Sequence, residues 1–437
     1  LGIESQYDDE LTGTNGTTYS YVDDGLEVTE TQKAAVDGNN IVTTIDYNVQ
    51  SIIEKCIKEY NAEKPSKNTA VVVADPSNGE ILGMASYPTF NLNDPRKLTG
   101  MYTDEEIKDM SDEEYRNNLY SLWTNYCVSE SYEPGSTFKP VTVASALEEG
   151  VVKDGDTYVC KGFETVADYK LKCHVFSTIG SHGSLTVEQA LMNSCNPYMI
   201  HLALEMGNSR FAYYQSLFGF GKTTGIDLPG ETTGIVYGDR MTTIDAACNS
   251  FGQTINVNMM QMMAAYCSII NGGMLSQPHI VKRIESANGE VVKEYKANLV
   301  RQTITASTSK LLRRYLKNTV EEGTAKKAGV TGYSVAGKTG TAQKGDRKDN
   351  KWIISFIGHA PAENPKFAIY VVIDEPYGTT GTSGSSADVL TLTHNILEKL
   401  LPYMNVYKDA SDEYEDTSSS PDELTVDGIP AGTASSN

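Results

Sequence analysis

Between Asp46 and Tyr60 the apolar residues Val49, Ile52, Ile53, Cys56, Ile57 and Tyr60 recur three and four apart, the spacing of one helix face, with Asp46 placed to cap the first turn. The rhythm then changes. Val71-Val-Val-Ala74 and Ile81-Leu-Gly-Met84 are short apolar runs on either side of the turn sequence Asp75-Pro-Ser-Asn-Gly79, and together they predict a hairpin. Helical spacing returns after Pro134-Gly135, where Val141, Val143, Ala144, Ala146 and Leu147 predict a buried helix, and again over 185–220 and 256–270. Met259-Met-Gln-Met-Met263 falls in the last of these and reads as core packing. Val335–Gln343, Trp352–Ala360 and Phe367–Asp374 predict three consecutive antiparallel strands, and a last helix spans about 385–401. The stretch 91–125 is charged and predicts loop or short helices.

This pattern divides the chain into a polar, Gly- and Asp-rich segment over 1–40, one large domain over 41–407, and a tail or linker over 408–437. The tail is rich in Asp, Glu, Ser and Thr and is expected to be disordered. Acidic residues outnumber basic ones 57 to 36, a net charge of −21. Nucleic-acid phosphates would be repelled by such a chain, so no nucleic-acid partner is expected. The chain begins without a basic, then apolar, leader pattern and contains no run long and apolar enough to span a membrane.

Three motifs stand in order: Ser136-Thr-Phe-Lys139, Ser194-Cys-Asn196 and Lys338-Thr-Gly340-Thr341. They supply a serine nucleophile, a lysine to deprotonate it, a second serine to relay the proton, and a strand to hold the acyl donor. Pro134-Gly135 forces a turn and Pro140 is tolerated only in a first helical turn, so Ser136 is expected at a helix N-terminus with Lys139 one turn on. A lysine normally titrates near ~10.4, and burial beside a second cation makes its proton easier to lose. Lys338 is placed to be that neighbour. Each motif alone is weak, and Ser307-Thr-Ser-Lys310 and Ser66-Lys-Asn68 are decoys for the first two.

Glu133-Pro-Gly-Ser-Thr-Phe-Lys-Pro140 resembles the nucleophile segment of class B penicillin-binding proteins, peptidoglycan D,D-transpeptidases. The likeness extends to Gly2-Ile-Glu-Ser-Gln-Tyr-Asp8, Ala74-Asp-Pro-Ser-Asn-Gly-Glu-Ile-Leu-Gly-Met-Ala85, Thr224-Gly-Ile-Asp-Leu-Pro-Gly-Glu231 and Phe251-Gly-Gln253. The resemblance implies an α/β (α+β) fold: a central antiparallel sheet flanked by helices, with an all-helical subdomain and the active site between them. It implies a stem peptide's penultimate D-Ala acylating Ser136, the amine of a neighbouring strand accepting the acyl group, and covalent inhibition by β-lactams. Carried over by motif, Lys139 is the base and Ser194 the relay. Asn196 orients Lys139 and the substrate amide. Lys338, Thr339 and Thr341, with Gly340 between them, hold the donor, and the backbone N–H groups of Ser136 and Thr341 form the oxyanion hole. No catalytic cofactor is implied. Residues 1–40 would end an N-terminal pedestal. An N-terminal anchor, missing from this chain, would hold the protein on the extracytoplasmic face of the membrane beside a membrane-embedded glycan polymerase.

Rival readings differ in chemistry. A D,D-carboxypeptidase would use water as the second acceptor, and a β-lactam-binding sensor would stop at acylation. A secreted serine β-lactamase shares the motifs but needs a deacylating carboxylate for which no motif is legible. Gly332-Tyr-Ser-Val-Ala-Gly-Lys-Thr339 matches a phosphate loop letter for letter, which makes a nucleotide hydrolase the remote alternative. Its flanks lack the buried strand and the helix such a loop requires.

Seven cysteines are present, and Cys160, Cys173 and Cys195 lie in one segment with His182. Three thiolates and an imidazole suit tetrahedral zinc, although the tight C-x-x-C spacing is missing. Resemblance to elongation- and sporulation-type members of the class implies a structural zinc here. A Cys160–Cys173 disulfide, free thiols, and His174 in place of His182 are the alternatives. Cys56, Cys127, Cys248 and Cys267 read as small core residues. His201, His279, His359 and His394 show no partner pattern and read as packing or solvated.

Overall fold

The computed structural model describes residues 2–22, 28–98, 102–345, 351–376 and 385–410. Helix α1 (Tyr47–Glu63) starts as the spacing predicts, with the Asp46 carboxylate accepting the N–H groups of Asn48 and Val49. Strands β1 (Ser66–Ala74) and β2 (Ile81–Tyr87) form the predicted hairpin, longer at both outer ends. Helices α2 (Lys139–Glu149), α3 (Asn196–Met206), α4 (Met259–Ile270) and α5 (Ala306–Glu321) follow. The three late strands are β3 (Ala336–Lys344), β4 (Lys351–Ala360) and β5 (Phe367–Pro376), and helix α6 (Ala387–Tyr403) closes the domain. The five strands make one antiparallel sheet in the order β3-β4-β5-β1-β2, so β3 is an edge.

Both faces of this sheet are covered, which is why its central strands read as continuous apolar runs. Val71, Val73, Phe356, Ile369 and Val371 pack against α1 and α6, whereas Val72, Ile357, Tyr370 and Val372 pack against the helical half. Helix α4 is the spine of that half. All of its twelve residues are buried, so Met259, Met260, Met262 and Met263 are core, as their setting predicts.

Smaller pieces surround this frame. The charged stretch after β2 forms helices Asp104–Asp109 and Asp112–Trp123, with a separate apolar cluster around Leu98, Leu119 and Leu122. Near the start of the chain, Tyr7 donates to Asp227 Oδ2 at 2.9 Å, and Asp227 also accepts the N–H groups of Ile280 and Val281. Two of the sequence segments that carry the resemblance therefore meet in space. The hairpin of Thr17–Val22 with Val28–Lys33, and the short ribbons pairing 157–160 with 183–186 and 163–166 with 169–172, have no clear sequence signal. Exposed residues dominate these ribbons, so no apolar alternation marks them. Past Ala410 the expected acidic tail lies outside the described residues. Among those described, no helix is long and apolar enough to cross a membrane.

Strand β3 also disposes of the phosphate-loop match. Gly337-Lys338-Thr339 lies inside a buried strand and opens no helix. Gly337 is glycine for another reason: a Cβ there, or on Gly358 opposite, would come within 2.3 and 2.5 Å of the Phe356 ring. The ring seals β3 and β4 against the α1/α6 layer. Replacing Phe356 by Ala is expected to cost about 3–5 kcal/mol by leaving a cavity under these glycines. Chemical denaturation measures it, and a loss below about 1 kcal/mol would contradict this packing role.

Candidate functional site

The three motifs converge where edge strand β3 meets the helical half. Gly135–Phe138 is a single 3₁₀ turn and α2 proper begins at Lys139, three residues later than the sequence suggests for a helix headed by Ser136. Pro140 occupies the first turn of α2, where its missing N–H leaves no bond unmade. In a 3₁₀ turn residues three apart eclipse, so Ser136 and Lys139 still lie on one side.

Lys139 is fully buried. Its Nζ donates to Ser194 O at 2.6 Å, to Ser194 Oγ at 2.9 Å and to Asn196 Oδ1 at 2.7 Å. Ser194 Oγ in turn lies 3.0 Å from Ser136 Oγ and donates to it. A continuous hydrogen-bonded path therefore joins the first serine to the lysine through the second serine. Ser194 adopts φ +52°, a left-handed conformation unusual for a side-chain-bearing residue, and presents both its carbonyl and its hydroxyl to Lys139. Asn196 opens α3, and its Nδ2 donates to Lys172 O at 3.3 Å.

Lys338 is the second fully buried lysine, and its Nζ donates to Thr339 O at 3.2 Å and Thr339 Oγ1 at 3.4 Å. Burial pushes the Lys139 ammonium down to about 8, against a smaller opposite pull from Cys173 and Cys195. Lys338 is driven well below the usual lysine range, by burial first and by the charge of Lys139 second. The sequence places Lys338 to depress Lys139. In the structure burial lowers Lys139, and the repulsion between the two cations falls on Lys338.

Backbone packing sets the spacing between the Ser136 turn and β3. Gly135 has φ +56°, and a Cβ there would lie 2.5 Å from Thr341 O. A Cβ on Gly340 would come within 2.4 Å of Ser355 Oγ and 2.8 Å of Pro134 O. The decoys lie elsewhere: Ser307 is in the exposed first turn of α5, and Ser66 is buried against Asn61 and Thr69. Tyr132 is core, donating to the Tyr370 hydroxyl at 2.9 Å. His359 is buried with a pKa lowered to about 3 by burial, its Nδ1 2.8 Å from the Tyr266 hydroxyl, a structural pair.

Beside the second motif, one donor atom from each of Cys160, Cys173, His182 and Cys195 lies within 4.8 Å of the others. His182 Nδ1 is 3.8 Å from Cys160 Sγ and 3.5 Å from Cys173 Sγ, while His174 Nδ1 is 3.8 Å from Cys173 Sγ only. All seven cysteines are free, so the Cys160–Cys173 disulfide alternative is not formed. Hydrogen bonding from Cys195 holds the Cys173 thiol far below its usual range, helped by His174 and His182, and the same pairing drives Cys195 up. The sequence reads Gln253 as structural near the site and assigns no role to Glu133, whose bond to the Thr254 N–H spans 121 positions.

Residues 69–398 match the family described as penicillin binding protein transpeptidase domain. The chain is 37% identical over 416 residues to stage V sporulation protein D of Bacillus subtilis, covering 93% of this chain and 61% of that protein. It is 30% identical to the peptidoglycan D,D-transpeptidase FtsI of Escherichia coli, covering 94% of this chain and 64% of that one. The chain thus spans less than two thirds of the length of these relatives. Among solved structures, penicillin binding protein 3 of Mycobacterium tuberculosis complexed with ampicillin superposes with a TM-score of 0.78 at 26% identity, over 94% of this chain and 86% of that one. A peptidoglycan synthetase from Bifidobacterium adolescentis gives a TM-score of 0.79 at 27% identity, over 93% of this chain and 70% of that one. The mixed fold, with its central antiparallel sheet and helical half, is the fold of these proteins.

The contact between Gly135 and Thr341 yields a direct test. Gly135→Ala combines a left-handed φ with a Cβ inside van der Waals contact distance of a backbone oxygen, and is expected to destabilise the protein by about 1–3 kcal/mol. An unchanged melting temperature would show that β3 is not seated on this turn.

Proposed function

This chain belongs to the penicillin-binding protein transpeptidase family, and from that membership and the site's geometry we propose that it cross-links peptidoglycan stem peptides through an acyl-enzyme on Ser136. The observation that carries this reading is the hydrogen-bonded path from Ser136 through Ser194 to the buried Lys139. Burial pushes Lys139 down to about 8, so far more of it than of an ordinary lysine is neutral near pH 7 and able to accept a proton. Ser136 Oγ attacks the carbonyl of the penultimate D-Ala while its proton passes through Ser194 Oγ to Lys139 Nζ. The tetrahedral oxyanion is held by the N–H groups of Ser136 and Thr341. Collapse breaks the peptide bond, and the terminal D-Ala leaves with the proton from Lys139. An amine of a second strand then attacks the ester, which forms the cross-link and restores Ser136. A β-lactam follows the first half with its ring amide and stays attached.

Lys338 supports recognition of the donor. Its burial favours the neutral amine in the empty site, and a carboxylate arriving beside Thr339, Gly340 and Thr341 brings the counter-charge that lets it ionise. Asn196 keeps Lys139 in place and offers its amide to the substrate backbone. With an N-terminal anchor beyond this chain, the domain would work on the extracytoplasmic face of the membrane next to a glycan polymerase. Residues 41–407 form its transpeptidase unit. A carboxypeptidase would run the same first half, and the fate of the acyl group in the presence of an amine separates the two.

The donor set Cys160, Cys173, His182 and Cys195 fits zinc: three sulfurs and one imidazole nitrogen, mutually within reach, with one thiol already biased toward thiolate. His182 is the imidazole of choice because it approaches two of the sulfurs. The bound metal would supply structural cross-linking and no chemistry. It would tie the segment 160–182 to Cys195, between Ser194 and Asn196.

Two experiments test these assignments. Covalent labelling by a fluorescent penicillin is expected to vanish in Ser136→Ala. In the wild type the labelling rate should fall about tenfold per pH unit below pH 8 and level off above it, since a base with a lowered pKa works only once deprotonated. Label persisting in Ser136→Ala, or a rate flat from pH 6 to 9, would refute the mechanism. For the metal, protein purified without chelator should carry about one zinc per chain. Chelation, Cys173→Ser or acidic pH should remove it, lower the melting temperature and slow labelling. Substoichiometric zinc would refute the site and leave the transpeptidase assignment standing.

A further inference from the structure

Glu133 opens the nucleophile segment, yet the mechanism above leaves it idle. It is half-buried, and its Oε1 accepts the N–H of Thr254 at 2.8 Å across 121 positions of sequence. A merely solvated charge would show neither feature. Burial raises the carboxyl's pKa, and the Thr254 N–H pulls it back. Thr254 itself stands at φ +58°, a left-handed conformation that costs of order 1–3 kcal/mol and persists only where its surroundings impose it. Within the turn Gln253 N donates to Cys248 O at 3.0 Å and Gly252 N to Asn249 O at 2.9 Å. The buried Asn249 donates through Nδ2 to Gln253 O at 3.0 Å and to Thr254 Oγ1 at 2.9 Å, which holds the turn from inside. Glu133 holds it from outside.

This turn lies directly behind the nucleophile. Gly135 N donates to Gly252 O at 2.9 Å, and a Cβ on Gly252 would fall 2.0 Å from Gly135 O. On its other side Gly135 meets the Thr341 peptide, so its backbone is sandwiched between the turn and β3. The near end of the turn is fastened to α2, where Thr142 Oγ1 donates to Ser250 O at 2.8 Å. At the far end the fastening is Glu133. Beyond it, Tyr132 and Val257 exchange backbone hydrogen bonds of 3.1 and 2.9 Å, so the two chains stay paired on either side of this bond.

We propose that Glu133 is a positioning residue for acyl transfer: by holding the Thr254 N–H it keeps the turn pressed on Gly135, and so fixes Ser136 against Thr341. The two N–H groups assigned to the oxyanion belong to those two residues, so slack in the turn enters the reacting geometry directly. A misplacement of about 1 Å at a reacting centre can cost up to about 100-fold in rate. The proposal rests on Ser136 as nucleophile.

The test separates the bond from the charge. Glu133→Gln keeps an oxygen at the same reach and loses the charge. Glu133→Asp keeps the charge and falls one methylene short of Thr254. Acylation by fluorescent penicillin is resolved into the rate at saturation and the half-saturating concentration, alongside labelling stoichiometry and melting temperature. The expected result is a saturating rate at least about tenfold lower in Glu133→Asp and Glu133→Ala, with complete labelling at long times and a largely unchanged half-saturating concentration. Glu133→Gln should stay within about threefold of wild type. If Glu133→Ala fails to fold, the Gln and Asp pair decides alone. Wild-type saturating rates in Glu133→Asp, or a Glu133→Gln as slow as Glu133→Asp, would overturn the proposal. Labelling that survives in Ser136→Ala would instead strike the nucleophile assignment beneath it, an outcome distinct from either.

Discussion

Among the described residues two lysine side chains, Lys139 and Lys338, are fully buried with hydrogen bonds only to neutral oxygens, and the site is organised around that constraint. An ammonium withdrawn from water with little counter-charge is costly, so the group gives up its proton more readily than an ordinary lysine. The two lysines respond differently because they come from different walls. Lys139 rises from the helical half into a ring of three acceptors, which leaves its amine titrating near neutrality. Lys338 comes from edge strand β3, meets the field of Lys139, and is pushed further. In the proposed mechanism one moves a proton and the other waits for a carboxylate.

Bringing those walls together is a problem of backbone approach, which glycines solve. Gly135 and Gly340 let the Ser136 turn touch β3, Gly252 lets a second turn touch Gly135, and Gly337 and Gly358 make room for the Phe356 ring that backs β3 and β4. The glycine-and-lysine pattern that mimics a phosphate loop is one product of this packing. Glycine before a lysine serves a phosphate when the backbone N–H groups line a turn, and it serves an aromatic ring when the backbone is a strand. The letters are the same and the secondary structure decides.

Much of this geometry was legible in the sequence because the side chains that meet come from short contiguous motifs. Ser136 and Lys139 are three apart, Ser194 and Asn196 two apart, and local geometry alone aligns each pair. Apolar spacing likewise placed α1, α4 and the five strands, all elements with buried faces, but not the pairing of β5 with β1 that joins the hairpin to the three late strands. What escaped was non-local or exposed. The bond from Glu133 to Thr254 and the meeting of Tyr7 with Asp227 join residues more than a hundred positions apart, and no periodicity encodes them. The small ribbons around 157–186 bury little and leave no apolar alternation. The cysteine cluster lies between these cases: the residues were visible, but only folding brings four donors within 4.8 Å.

The central claim is that burial makes Lys139 a base near neutral pH. An NMR titration of lysine side chains labelled with carbon-13 and nitrogen-15, assigned through Lys139→Arg, measures this without reference to any substrate. The account predicts a Lys139 midpoint at about 8 in the empty enzyme. A midpoint at the ordinary lysine value of 10.5 would contradict it, because the amine would then be protonated throughout the range in which the site is proposed to act.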